Sequence, residues 1–160
     1  MKIRPLAIIN WIAFAVTLAM NALSNSPGFF QFTSRDAGES RAIFFLPAGY
    51  VFAIWGVIYL GLGAYLTYQA RPVNYDSHVH DKIGVLFLVT CLGNIGWLFL
   101  FLNNMVWEST IAIVVLLVAL LAIYVRLDIG RTQVSTLEKW AVHIPFSIYL
   151  GWITVATVAN

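Results

Sequence analysis

Five long apolar runs constrain this chain more than any other feature. They cover about Leu6 to Leu23, Ala48 to Tyr68, Ile83 to Leu102, Val106 to Val125, and Trp140 to Val158. Each approaches the roughly 20 residues that carry an α-helix across a bilayer. Glu108, near one end of the fourth run, is the only Asp, Glu, Lys or Arg within them. Strands of a membrane barrel would alternate apolar and polar positions; Ile111 to Ala122 shows no alternation. The reading is therefore an all-α membrane protein, a five-transmembrane-helix bundle. Five spans take roughly 100 positions of the 160. That leaves one transmembrane domain over residues 1–160, with termini, short connections and one long loop, 24–47.

Composition agrees. Hydrophobic residues make up 61%, charged residues 10%, and mean hydropathy is +0.84. A soluble domain carries about 25% charged residues and could not hide this much apolar surface. The net charge of +2 is too small for a nucleic-acid partner; the partner demanded is the lipid bilayer. A single cysteine, Cys91, excludes an internal disulfide and reads as a buried thiol. Lys2 and Arg4 precede the first run, as in a signal peptide, but its apolar stretch is longer than a signal core and reads as a span.

Basic residues near span ends predict orientation. Lys2, Arg4, Arg71, Lys82, Arg126, Arg131 and Lys139 fall on one side; Arg35 and Arg41 fall on the other. A cytoplasmic N-terminus and an external C-terminus follow. The long loop, with Phe29-Phe30 and Phe44-Phe45, reads as an interfacial connection or a lid over the bundle.

Helical spacing lines up aromatic and polar residues in three spans. Phe52, Trp55 and Tyr59 share a face of the second span. Thr90, Asn94, Trp97 and Phe101 share a face of the third. Tyr149, Trp152 and Ala156 share a face of the fifth, with Asn160 one turn beyond. Lipid cannot satisfy indole N–H groups or an asparagine, so these faces turn into the bundle. Two readings remain open: a packing core, or a cavity for a flat hydrophobic small molecule with a polar edge. Trp11, Trp107 and Trp140 read as interface belts. Gly49, Ala53, Gly56 and Gly63 give the second span a small-residue face for tight helix contact, within the chain or between two copies.

Catalytic signals are weak. No Walker loop, Gly-x-Ser-x-Gly elbow or His-Glu-x-x-His motif is present. Asp76-Ser77-His78-Val79-His80-Asp81 reads as a solvated loop, with a metal site as the lesser alternative. His143, ahead of Pro145, reads as an interfacial or helix-bonded histidine rather than a ligand.

Three motifs then resemble a known family. Pro47 to Tyr59 (PAGYVFAIWGVIY), Asn94-Ile95-Gly96-Trp97 with Phe99, and Trp152 to Thr157 ending in Asn160 resemble signatures of the tryptophan-rich sensory protein or translocator protein (TspO/MBR) family. The resemblance implies a five-helix bundle, often a homodimer, with a ligand pocket opening towards the first loop. It implies binding of porphyrin, haem or another tetrapyrrole, or of a sterol-like molecule. By motif, the ligand-binding residues are Phe52, Trp55, Tyr59, Asn94, Trp97, Trp152 and Ala156, and the stripe on the fifth span adds Tyr149. The first loop departs from the family pattern: Ser40 to Leu46 lacks the Trp and the Lys-Pro seen in members, so chemistry resting on a loop tryptophan does not carry over. Pro145 also sits about one turn early, and many members continue beyond the position of Asn160. The leading expectation is a non-enzymatic binding protein for sensing or transport. The alternatives are an accessory subunit in a larger membrane complex and an enzyme of porphyrin breakdown, which lacks an acid–base constellation here.

Overall fold

The computed structural model describes residues 5–24, 26, 28–30 and 49–160. Five long helices form: α1 (Pro5–Leu23), α2 (Ile54–Ala70), α3 (Leu86–Leu102), α4 (Val106–Arg126) and α5 (Ile144–Ala159). Neighbouring contacts run α1, α2, α5, α4, α3 and back to α1, so the helices close a ring. No strand occurs among the described residues. The expected five-helix bundle is present. The long loop falls almost entirely outside the described residues, and so does any lid role for it; Phe30, which is described, sets its ring 6.1 Å from that of Phe99 on α3.

Burial is arranged for lipid. Leu60, Trp107 and Val158 are 79%, 86% and 83% exposed, while Asn10, Asn94 and Ser109 are fully buried. A bilayer solvates the outer Leu and Val faces, and only the interior can satisfy the polar groups. Four helical stretches are long and apolar enough to cross a membrane, and α3 is a shorter apolar helix of 17 residues. The chain is an integral membrane protein.

Local chemistry adjusts the expected spans. The third starts later than residue 83, because Gly84 (φ +46) breaks the chain and α3 begins at Leu86. Within the 76–81 stretch, Asp76, His78 and Asp81 are exposed, but the chain there is not a loop: His78–Ile83 is a short helix capped by Ser77. His80 is buried, with Nε2 2.8 Å from the Asn74 carbonyl oxygen. The fifth span starts earlier, at Thr136. A short turn of helix, Thr136–Glu138, leads into a π-turn, Lys139–His143, followed by Pro145. Proline lacks an N–H and crowds the preceding turn, and a widened turn relieves both.

The helices approach through glycines, though not those of the expected α2 face. A Cβ at Gly56 or Gly63 would meet nothing within 4 Å. On the other side of α2, a Cβ at Gly61 would lie 2.9 Å from Pro145 Cβ. On α3, a Cβ at Gly93 would lie 3.0 Å from Leu116 Cβ and 3.3 Å from its Cα. Absent side chains let α2 meet α5 and α3 meet α4. Below the Trp-bearing level, Tyr65, Phe87 and Phe146 pack with ring centroids 5.1–6.5 Å apart. Gly93→Val should cost about 1–3 kcal/mol through overpacking, whereas Gly56→Val should change stability by less than about 0.5 kcal/mol. Thermal unfolding in detergent checks the pair.

Candidate functional site

The three aromatic stripes converge on Trp55, which stands at the start of α2. Its ring stacks on Tyr59 (centroids 5.5 Å apart, 24° between planes) and on Trp97 of α3 (6.3 Å, 24°). The edges of Tyr149 (6.1 Å) and Trp152 (6.2 Å) from α5 meet it at steep angles. Phe52 sets its ring against Trp152 at 6.0 Å and is 43% exposed. Trp97 continues the stack to Phe101, and Phe14 of α1 reaches Tyr59. Such offset-stacked and edge-to-face pairs are each worth about 0.5–1.5 kcal/mol beyond their burial. Ala156 lies one turn beyond Trp152, half-buried against the core. The eight expected residues thus belong to one region, at the α1 C-terminal end of the bundle.

Their polar atoms divide into two groups. Asn94 is fully buried; its Oδ1 accepts from Asn21 Nδ2 at 2.9 Å, and its Nδ2 donates to the Tyr149 hydroxyl at 3.4 Å. Trp97 Nε1 donates to Asn160 Oδ1 at 2.8 Å, and Asn160 Nδ2 donates to Thr110 Oγ1 at 2.9 Å. These groups tie α1, α3, α4 and α5 together. The Tyr59 hydroxyl and Trp152 Nε1 differ: both are buried and have no hydrogen-bond partner among the described residues. They flank Trp55. Helix packing already uses Asn94 and the Trp97 N–H.

Sequence reasoning missed Asn21. The signal was available: Asn10, Thr17 and Asn21 are spaced by seven and four in an otherwise apolar helix, which places them on one face. Asn10 and Thr17 are buried there, and Asn10 Nδ2 donates to Gln69 Oε1 at 3.3 Å. Trp107 and Trp140 are 86% and 65% exposed, as belt residues should be. A shallow groove of about 300 Å³ between α1 and α3, lined by Ile9, Ile12, Val16, Cys91 and Leu92, offers apolar surface only. No group of three or more His, Cys, Asp or Glu among the described residues is placed to hold a metal ion.

This geometry can be set beside known proteins. The chain matches the TSPO-like protein family over residues 7–160. The chain belongs to that family. No curated protein and no solved structure gave a match. The matched stretch includes all of α2 to α5 and all but the first two residues of α1.

Removing Asn94 takes its amide from Asn21 and from the Tyr149 hydroxyl in a medium that offers no replacement. Asn94→Ala should therefore destabilise by about 1–3 kcal/mol. Tyr59→Phe removes a hydroxyl that has no partner among the described residues and should stay within about 0.5 kcal/mol of the parent. Unfolding of both variants in the same detergent tests this assignment.

Proposed function

We propose that this membrane protein binds a flat hydrophobic molecule of the tetrapyrrole class, or a sterol-like one, among Trp55, Tyr59, Trp97 and Trp152, for sensing or transport. The observation that carries the reading is the Trp55 cluster. Aromatic faces from three helices meet there, and two buried polar hydrogens, on Tyr59 and Trp152, have no acceptor among the described residues. Aromatic contact supplies the affinity, and those two donors orient a polar edge such as a carboxylate or carbonyl. The role is one of binding rather than catalysis. The N-terminus is proposed to face the cytoplasm, on the side of Arg71, Lys82, Arg126, Arg131 and Lys139.

A second reading has an observation of its own. Gly56 and Gly63 leave an open small-residue track on the outside of α2. That suits a seam with a second copy or with another subunit of a larger membrane complex. Purification in mild detergent separates the readings: a stoichiometric assembly with other subunits supports the accessory role, and a pigment-bearing dimer supports the receptor role.

Titration with protoporphyrin or haem should quench tryptophan fluorescence. Trp152→Ala should weaken binding at least tenfold, about 1.4 kcal/mol, and Trp97→Ala should weaken it too. Unchanged affinity in both variants would remove the proposed pocket.

A further inference from the structure

The C-cap of α5, Asn160, joins three helices through one carboxamide. Its Oδ1 accepts from Trp97 Nε1 on α3 at 2.8 Å. Its Nδ2 donates to Thr110 Oγ1 at 2.9 Å and to Ser109 Oγ at 3.2 Å, both near the start of α4. The two hydroxyls meet the amide as acceptors, because each gives its own proton to the Val106 carbonyl, at 2.7 Å from Ser109 and 2.9 Å from Thr110. Back-bonding of this kind is usual for Ser and Thr inside a helix. Ser109 Oγ also lies 3.4 Å from Oδ1, a longer and poorer use of its proton. The hydroxyls therefore present lone pairs, and lone pairs require the amino end of the amide. That orients the carboxamide and leaves its oxygen for the indole. A flipped amide would set N–H against N–H at Trp97 and a carbonyl oxygen against lone pairs at Thr110.

We propose that Asn160 is a positioning residue of the aromatic site: it fixes the Trp97 indole and takes its N–H out of ligand recognition. The proposal rests on the reading that a flat hydrophobic guest binds at the Trp55 cluster. The plane of Trp97 lies 24° from that of Trp55 and 26° from that of Phe101. Ring contacts of this kind set the plane of an indole but have little preference for where its N–H points. The bond to Asn160 supplies that preference, and hydrocarbon offers the N–H no other partner. With its proton spent, Trp97 presents a guest with ring surface and no donor. Trp152 Nε1 and the Tyr59 hydroxyl have no acceptor among the described residues. The walls of the site therefore differ in what they read: a carbonyl or carboxylate edge belongs with Trp152 and Tyr59, and apolar surface with Trp97. Asn160 acts through Trp97, and the Ser109 and Thr110 hydroxyls act through Asn160.

Nuclear magnetic resonance of the whole chain in detergent, with isotope-labelled tryptophan, tests this through the Trp97 Nε1–H signal, which Trp97→Phe identifies. Asn160→Leu, similar in volume and without an acceptor, should move that signal upfield and weaken protoporphyrin binding about tenfold. Asn160→Asp keeps the acceptor, and the Ser109 and Thr110 hydroxyls can turn to donate to it. That variant should keep the signal at its hydrogen-bonded position and hold the affinity within about threefold of the parent. Thr110→Val, which removes one of the two groups that orient the amide, should shift both readouts in the direction of Asn160→Leu by less, and it serves where the leucine variant does not fold. Asn10→Ala breaks an amide pair at the other end of the bundle. It should lower the melting temperature and leave both readouts as in the parent, which separates positioning from packing. An unmoved Trp97 signal in Asn160→Leu would overturn the proposal. So would a moved signal with parent-like affinity, which would leave the ligand site standing and Asn160 a packing residue only. Failure of the parent itself to bind protoporphyrin would overturn the ligand site and the positioning role together, and it shows before any substitution is made.

Discussion

Lipid offers hydrogen bonds to nothing, and the rest of this structure follows from that. A side chain with an N–H, an O–H or a carbonyl must meet a partner inside the bundle or leave it unsatisfied. Asn10 meets Gln69, Asn94 meets Asn21 and Tyr149, and Trp97 meets Asn160. Each pair joins two helices far apart in sequence. Van der Waals contact draws the helices together without choosing a rotation about each axis. The polar pairs choose it, since a turned helix strands an amide in hydrocarbon. The same rotation aims Trp97 and Trp152 at Trp55.

Close approach sets the dimensions of that interior. Gly61 admits the Pro145 ring, and Gly93 admits the backbone of Leu116. The first contact stands at the foot of α5, beside the π-turn, and the second joins α3 to α4.

Much of this was legible in the sequence. The length and apolarity of five runs gave the helices, and a 3.6-residue period placed Phe52, Trp55 and Tyr59 on one face. Three motifs gave the family. Other features depend on partners distant in the chain. Spacing cannot say that Asn160 captures the Trp97 N–H while the Trp152 N–H stays open, because both are indoles at similar helical positions. Nor does it separate Gly56, which faces open space, from Gly61, which faces proline; the packing partner decides. The helix at His78–Ile83 was hidden by its polarity, which resembles that of a loop until His80 and Glu138 are seen to be covered.

The proposed guest site is the Trp55 cluster. Tryptophan oxidation mapped by mass spectrometry, with and without protoporphyrin, tests it most directly. Binding should protect Trp55 and Trp152, and leave Trp107 and Trp140 on the lipid-facing surface as reactive as before. Equal reactivity of Trp55 and Trp152 in both conditions, or protection confined to Trp107 and Trp140, would contradict it.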